Sequence, residues 1–224
     1  MFQHENILLA NESQPVSRSQ LLICTSLSSL SQNQGVDEKD NSIIDMCLKL
    51  AVIYGSFNEH EKANLGFKYC IHAQEEKMKS NEEISDDTHA LWAMSCDWYA
   101  QYLLNNARYR EALMQFEQAF LISTQLFGET HPQTLVILNS LGTVCSRMGN
   151  DIEAVDYFNK AIAIGKDTAS ENLSTFLVNL GMAKIKLGLK ADANSVCQEA
   201  LLIGKRNNLS EVCSEAEECI KLAT

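Results

Sequence analysis

Histidine and cysteine are the side chains best suited to chemistry near neutral pH, and this sequence offers both. His131 stands in FGETHPQT, two residues after Glu129 and directly before Pro132, a pairing that would suit a base oriented by a carboxylate. Eight cysteines, at 24, 47, 70, 96, 145, 197, 213 and 219, would suit a thiol nucleophile, disulfides or a zinc site. The acidic runs EEKMKSNEE and EEISDD would suit a carboxylate acid–base pair.

Spacing argues against each. The cysteines form no C-x-x-C pair and no histidine lies at zinc-like spacing, so reduced, buried thiols in a reducing compartment are expected. Cys213 and Cys219 are six apart on one expected helix, too far round it to pair easily. The acidic runs fall on exposed helix and loop with nothing apolar to raise a pKa. No Gly-rich phosphate loop, nucleophile elbow or H-E-x-x-H is present, so no catalytic, cofactor-binding or metal-binding residue is assigned and the chain is not expected to be an enzyme. A net charge of −11 and a pI near 4.9 argue against nucleic acid as a partner. At 46% apolar residues the chain can bury a core, and two prolines with ten glycines in 224 residues favour helices. No run of 18 apolar residues exists, so no transmembrane segment is expected. MFQHENILLANESQPVSRSQLLICTSLSSL matches neither a presequence nor a secretory signal, with one arginine against Glu5 and Glu12.

The elements that position these residues emerge from an internal repeat. A small residue is followed twelve later by alanine, four later by an aromatic or cysteine, and three later by another small residue. The pattern reads Ala51, Ala63, Phe67, Cys70, and again Ala100, Ala112, Phe116, Ala119. It continues as Gly142, Ala154, Phe158, Ala161 and ends as Gly181, Ala193, Cys197, Ala200. Apolar residues at spacings of three and four make each half an amphipathic helix, and the small residues let two antiparallel helices approach closely. Short polar turns, GSFNEHEK, NNARYRE, RMGNDIE and LGLKAD, separate the halves. On this frame Cys47, Cys70, Cys96, Cys145 and Cys197 face the core as small hydrophobes. FGETHPQT becomes a corner between helices: Gly128 ends one, Pro132 opens the next, and His131 is a helix-entry residue.

These residues resemble the tetratricopeptide repeat. The alanine-to-alanine spacings of 49, 42 and 39, with the Gly-x-x-His-Pro entry, look like the kinesin-light-chain type. The resemblance implies an all-α, right-handed solenoid of antiparallel helix pairs with a C-terminal capping helix. The array is expected over 36–208, with units near 41–77, 89–126, 132–167 and 171–206. Residues 1–35 are expected to be poorly ordered or partly helical, with SRSQLLICTSLSSL the second helix of a degenerate preceding unit. Residues 78–92 are extra relative to the repeat, with NEEISDDT expected to be a longer acidic loop between the first two units and the flanking helices extended. Residues 209–224 form the capping helix, with Ser210 its cap.

A solenoid of this kind binds proteins on the concave surface lined by the first helix of each unit. The candidates there are Lys49 with Val52, then Asp97, Trp98 and Gln101, then Asn139, Thr143 and Arg147, then Asn179, Met182 and Lys186. Amide side chains suit the backbone of an extended peptide, and Trp98 suits an aromatic anchor. Members that bind chaperone tails clamp a carboxylate with Lys and Asn; Asp97 and Trp98 occupy the places such a clamp needs.

A more specific likeness lies in DNSIIDMCLKLAVIYGSFNEHEKANLGFKYCIHAQEEK, in CDWYAQYLL with ARYREALMQFEQA, and in GETHPQT. Over roughly residues 36–222 the chain resembles the mitochondrial tetratricopeptide repeat protein 19 family. That resemblance implies attachment to the mitochondrial inner membrane and a scaffold role in assembly and maintenance of respiratory complex III. It implies the Rieske iron–sulfur protein, whose fragments are cleared, as partner. The alternative expectation is a cytosolic kinesin-light-chain-like adaptor holding a cargo peptide in its groove.

Overall fold

The computed structural model describes residues 39–79 and 84–224. The expected helix in SRSQLLICTSLSSL, and Cys24, lie outside the described residues. Among the described residues there are nine α-helices and no strand. They are α1 (Asn41–Ser56), α2 (His60–Lys79), α3 (Asp86–Asn105), α4 (Tyr109–Phe127), α5 (Pro132–Arg147), α6 (Asp151–Asp167), α7 (Leu173–Lys186), α8 (Lys190–Arg206) and α9 (Ser210–Ala223). None of them is long and apolar enough to cross a membrane. The chain divides into two compact units, one ending at Ala73 and one spanning Gln74–Thr224.

In the first unit α1 is entered through Asp40, whose carboxylate accepts the Ser42 N–H at 2.8 Å. Gly66 of α2 lies against Ala51 of α1, and the Cys70 thiol donates to the Ile44 carbonyl at 3.5 Å. Ile44, Leu48, Ala51, Ala63 and Phe67 are buried between them.

The second unit is a row of helix pairs, α3/α4, α5/α6 and α7/α8, each packed on the next, with α9 lying on both α8 and α7. The repeat positions are its core. Ala100, Ala112, Phe116 and Ala119 are fully buried, as are Ala154, Ala161, Ala193 and Ala200. Each buried phenylalanine contributes about 1.5–3 kcal/mol. Glycine at 142 is a packing requirement: a Cβ there would lie 2.6 Å from the Phe158 ring.

The turns inside the four pairs share one geometry. The residue seven after each small residue, namely Asn58, Ala107, Gly149 and Gly188, has φ of 60°, 58°, 84° and 78°. The next residue returns its N–H to the carbonyl five back, at 2.9 Å in every case: Glu59 to Tyr54, Arg108 to Leu103, Asn150 to Cys145, Leu189 to Lys184. This left-handed closure stops each first helix and reverses the chain.

At the 128–132 corner, Gly128 (φ 87°) ends α4 and Pro132 opens α5. His131 is the N-cap of α5: its Nδ1 accepts the Gln133 N–H at 3.2 Å, and its ring stacks on Phe127 with centroids 4.5 Å apart. The histidine has a helix end to hold.

The helices flanking the acidic insert extend into 78–92: α2 runs to Lys79 and α3 begins at Asp86, capped by Ser85. Asp86 and Asp87 sit in that first turn, where the helix dipole favours anions. Two expectations need correction. Ser210 is not the cap of α9; Leu209 holds that place, with no side-chain cap bond. The thiols are not all free. Cys197 of α8 and Cys219 of α9 form a disulfide, with Cα atoms 6.1 Å apart, and Gly181 of α7 lies against both sulfurs. Spacing within one helix was the wrong measure for Cys219, because its partner lies on the neighbouring helix. Cys47, Cys70, Cys96 and Cys145 are buried free thiols, and Cys213 is half-buried.

Candidate functional site

Five of the polar side chains expected to line a groove, Asp97, Gln101, Asn139, Asn179 and Lys186, are hydrogen-bonded between neighbouring first helices, though only Asn139 and Asn179 to each other. In the second unit α3, α5 and α7 lie side by side, and hydrogen bonds run from each to the next. The Gln133 amide of α5 donates to Asp97 Oδ2 of α3 at 3.3 Å. Gln101 of α3 donates to the Ser140 hydroxyl of α5 at 3.2 Å, and that hydroxyl donates to the Val136 carbonyl at 3.0 Å. Asn179 Nδ2 of α7 donates to Asn139 Oδ1 of α5 at 3.0 Å. At the end of the row Lys186 Nζ donates to both the carbonyl (2.9 Å) and hydroxyl (2.8 Å) of Ser146. Ser146 in turn donates to Asp151 Oδ1 at 2.7 Å.

This arrangement follows from helix ends and helix spacing. Lys186 reaches the Ser146 carbonyl in the last turn of α5, which also accepts the Gly149 N–H at 3.3 Å, so the lysine reinforces a helix terminus as well as joining two pairs. The residues joined lie 36, 39, 40 and 40 apart, close to one repeat length, because equivalent turns of neighbouring first helices stand side by side.

The remaining candidates divide. Thr143 donates to the Asn139 carbonyl of its own helix at 3.1 Å. Arg147 is exposed, while Trp98 and Met182 are half-buried. Lys49 belongs to the first unit, is exposed, and pairs with Asp45 at 2.6 Å; Val52 is exposed there too. Sequence reasoning missed Gln133, Ser140, Ser146 and Asp151 as partners in the row. A search for polar pairs spaced by about 40 residues would have found three of the four links.

Asp97 differs from its neighbours. It is 6% exposed, and its second oxygen, Oδ1, is buried with no hydrogen-bond partner. Burial raises its carboxyl pKa to about 6, against the opposing pull of the Gln101 and Gln133 amides. Among the described residues no cation acts on it. Behind it the buried Cys96 thiol is pushed up by burial and then by the carboxylates of Glu75 and Asp97. A second acidic spot lies on the other helices. Burial, then Glu153, raises Glu117, and burial with Glu153 and Glu117 pushes the Cys145 thiol up to about 12. A thiol held protonated is a poor nucleophile. Among the described residues no group of three or more His, Cys, Asp or Glu side chains is placed to hold a metal ion.

The tetratricopeptide repeat family model matches residues 90–167, the stretch from early α3 through α6. Tetratricopeptide repeat protein 19, mitochondrial, of Homo sapiens is 34% identical over 176 residues, covering 75% of this chain and 46% of that protein. The Danio rerio protein of the same name is 38% identical over 141 residues, covering 59% and 35%. The chain thus spans about half the length, or less, of these curated relatives. Among solved structures, the kinesin light chain-like repeat protein of Podosopora anserina superposes with a TM-score of 0.67 at 18% identity, covering 84% of this chain and 87% of that one.

Proposed function

The chain belongs to the tetratricopeptide repeat family, and from that premise we propose that it is a mitochondrial scaffold for assembly and maintenance of respiratory complex III. A protein-binding scaffold is what the repeats themselves support: they stack helix pairs into an extended side-chain surface. The narrower reading is carried by one observation, the match to the mitochondrial tetratricopeptide repeat protein 19 of Homo sapiens across three quarters of this chain. In this reading the array docks on complex III at the inner membrane and holds a segment of the Rieske iron–sulfur protein. The row across α3, α5 and α7 is the surface that holds it, with Asp97, Gln101, Asn139, Thr143 and Arg147 as contact residues. Asn179 and Lys186 act mainly by keeping neighbouring pairs in register.

Native electrophoresis of detergent-solubilised mitochondria from cells expressing the tagged chain tests this. Comigration of the tag with complex III is the expected result. A tag confined to the cytosol at low mass would overturn the mitochondrial reading and favour the adaptor.

A further inference from the structure

The row across the first helices is nearly self-satisfied, and the exception indicates what the row selects. Asn139 and Asn179 bond each other, Lys186 is taken up by Ser146, and Thr143 by its own helix. Asp97 has one oxygen engaged by Gln133 while Oδ1 is buried without a donor. An unpaired buried carboxylate oxygen is costly, and native structures rarely leave one without reason.

We propose that Asp97 is the specificity-determining acceptor of this surface, taking a lysine or arginine side chain of the bound segment. The proposal rests on the reading that the row binds a protein segment. Three features favour a cation over a neutral donor. Among the described residues the side chains that act on Asp97 are the Gln101 and Gln133 amides, and none of them is a cation. Glu75 and Asp97 both act on the neighbouring Cys96 thiol, so negative charge is concentrated around it. The chain as a whole carries −11, which draws basic segments and repels acidic ones. A buried carboxylate that prefers a proton to bare ionisation gains equally from an ammonium or guanidinium, which supplies both the charge and the missing hydrogen bond. The preference is opposite in sign to that of a carboxylate-clamping groove.

The test is selection of a displayed random dodecapeptide library on the full 224-residue chain, followed by affinity measurement on two variants. Asp97→Asn removes the charge and keeps the shape. Thr143→Tyr fills the middle of the row, with folding checked by thermal melting. The expected result is a set of peptides sharing a lysine or arginine at one position. They should lose all binding to Thr143→Tyr and about 10- to 100-fold in affinity for Asp97→Asn, the range for a charged hydrogen bond. Peptides that need the row but lack a shared basic residue, or bind Asp97→Asn equally, would overturn the assignment of Asp97 and leave the groove reading standing. Selection that yields no row-dependent peptide would overturn both.

Discussion

Replacing Asp97 by asparagine should make the protein more stable at neutral pH. Burial raises the Asp97 pKa from 3.8 to about 6, so the folded state binds this proton more tightly than the unfolded chain does. Below the unfolded value both states are protonated and the carboxyl costs nothing. As pH climbs towards the folded value the unfolded chain ionises first, and wild-type stability falls. Above the folded value the penalty is constant. It amounts to about 1.4 kcal/mol for every pH unit separating the folded and unfolded values, so about 3 kcal/mol as an upper figure. Asparagine does not ionise, and its oxygen still accepts from Gln133. The variant should therefore exceed wild type by about 1–3 kcal/mol at neutral pH. Urea denaturation of both proteins in a series from about pH 7.5 down to about pH 4.5 gives the difference at each step, and every other titrating group cancels between them. The gap should narrow steadily below about pH 6. Equal stabilities at neutral pH, or a gap that does not change with pH, would refute the claim that a buried, uncompensated carboxylate sits at this point of the row.

Other substitutions test the packing. Gly142→Ala should destabilise by about 1–3 kcal/mol in chemical denaturation, because the new methyl meets the Phe158 ring; that outweighs the roughly 1 kcal/mol alanine gains in a helix. Ala107→Gly should raise stability by about 0.5 kcal/mol, since φ of 58° strains an L-residue more than glycine's extra chain entropy costs. His131→Ala should cost about 1 kcal/mol through loss of the α5 cap, read as a lower melting temperature. Cys219→Ser should cost about 3 kcal/mol for a closed loop of 22 residues, and non-reducing peptide mapping should recover the Cys197–Cys219 pair from the parent chain.

The repeat was legible because its signal is steric. Ala112 and Ala154 are fully buried, and a small residue in one helix facing another in its partner leaves a fixed spacing in sequence. The corner at His131 was legible for a similar reason, since glycine and proline each mark one side of a helix boundary. The polar row was only half legible. Asp97, Asn139 and Asn179 can be placed on the first helices from the repeat register, but their hydrogen-bond partners lie one repeat away. A single helix period says nothing about which side chains are consumed in joining pairs. Lys186 illustrates the difference: its position suits a ligand contact, yet its ammonium is committed to the end of α5. The disulfide was illegible because Cys197 and Cys219 each satisfy a core position on their own helix, and only the approach of α9 to α8 brings them together.

The covalent link between α8 and α9 gives the second unit a direction. In a one-dimensional stack each helix pair is held only by its neighbours, so opening begins at an end and travels inward. Here the C-terminal end is fastened by a bond that local fluctuation cannot break, with Gly181 of α7 lying against both sulfurs. Within the second unit, amide exchange should therefore be slowest in α7 to α9.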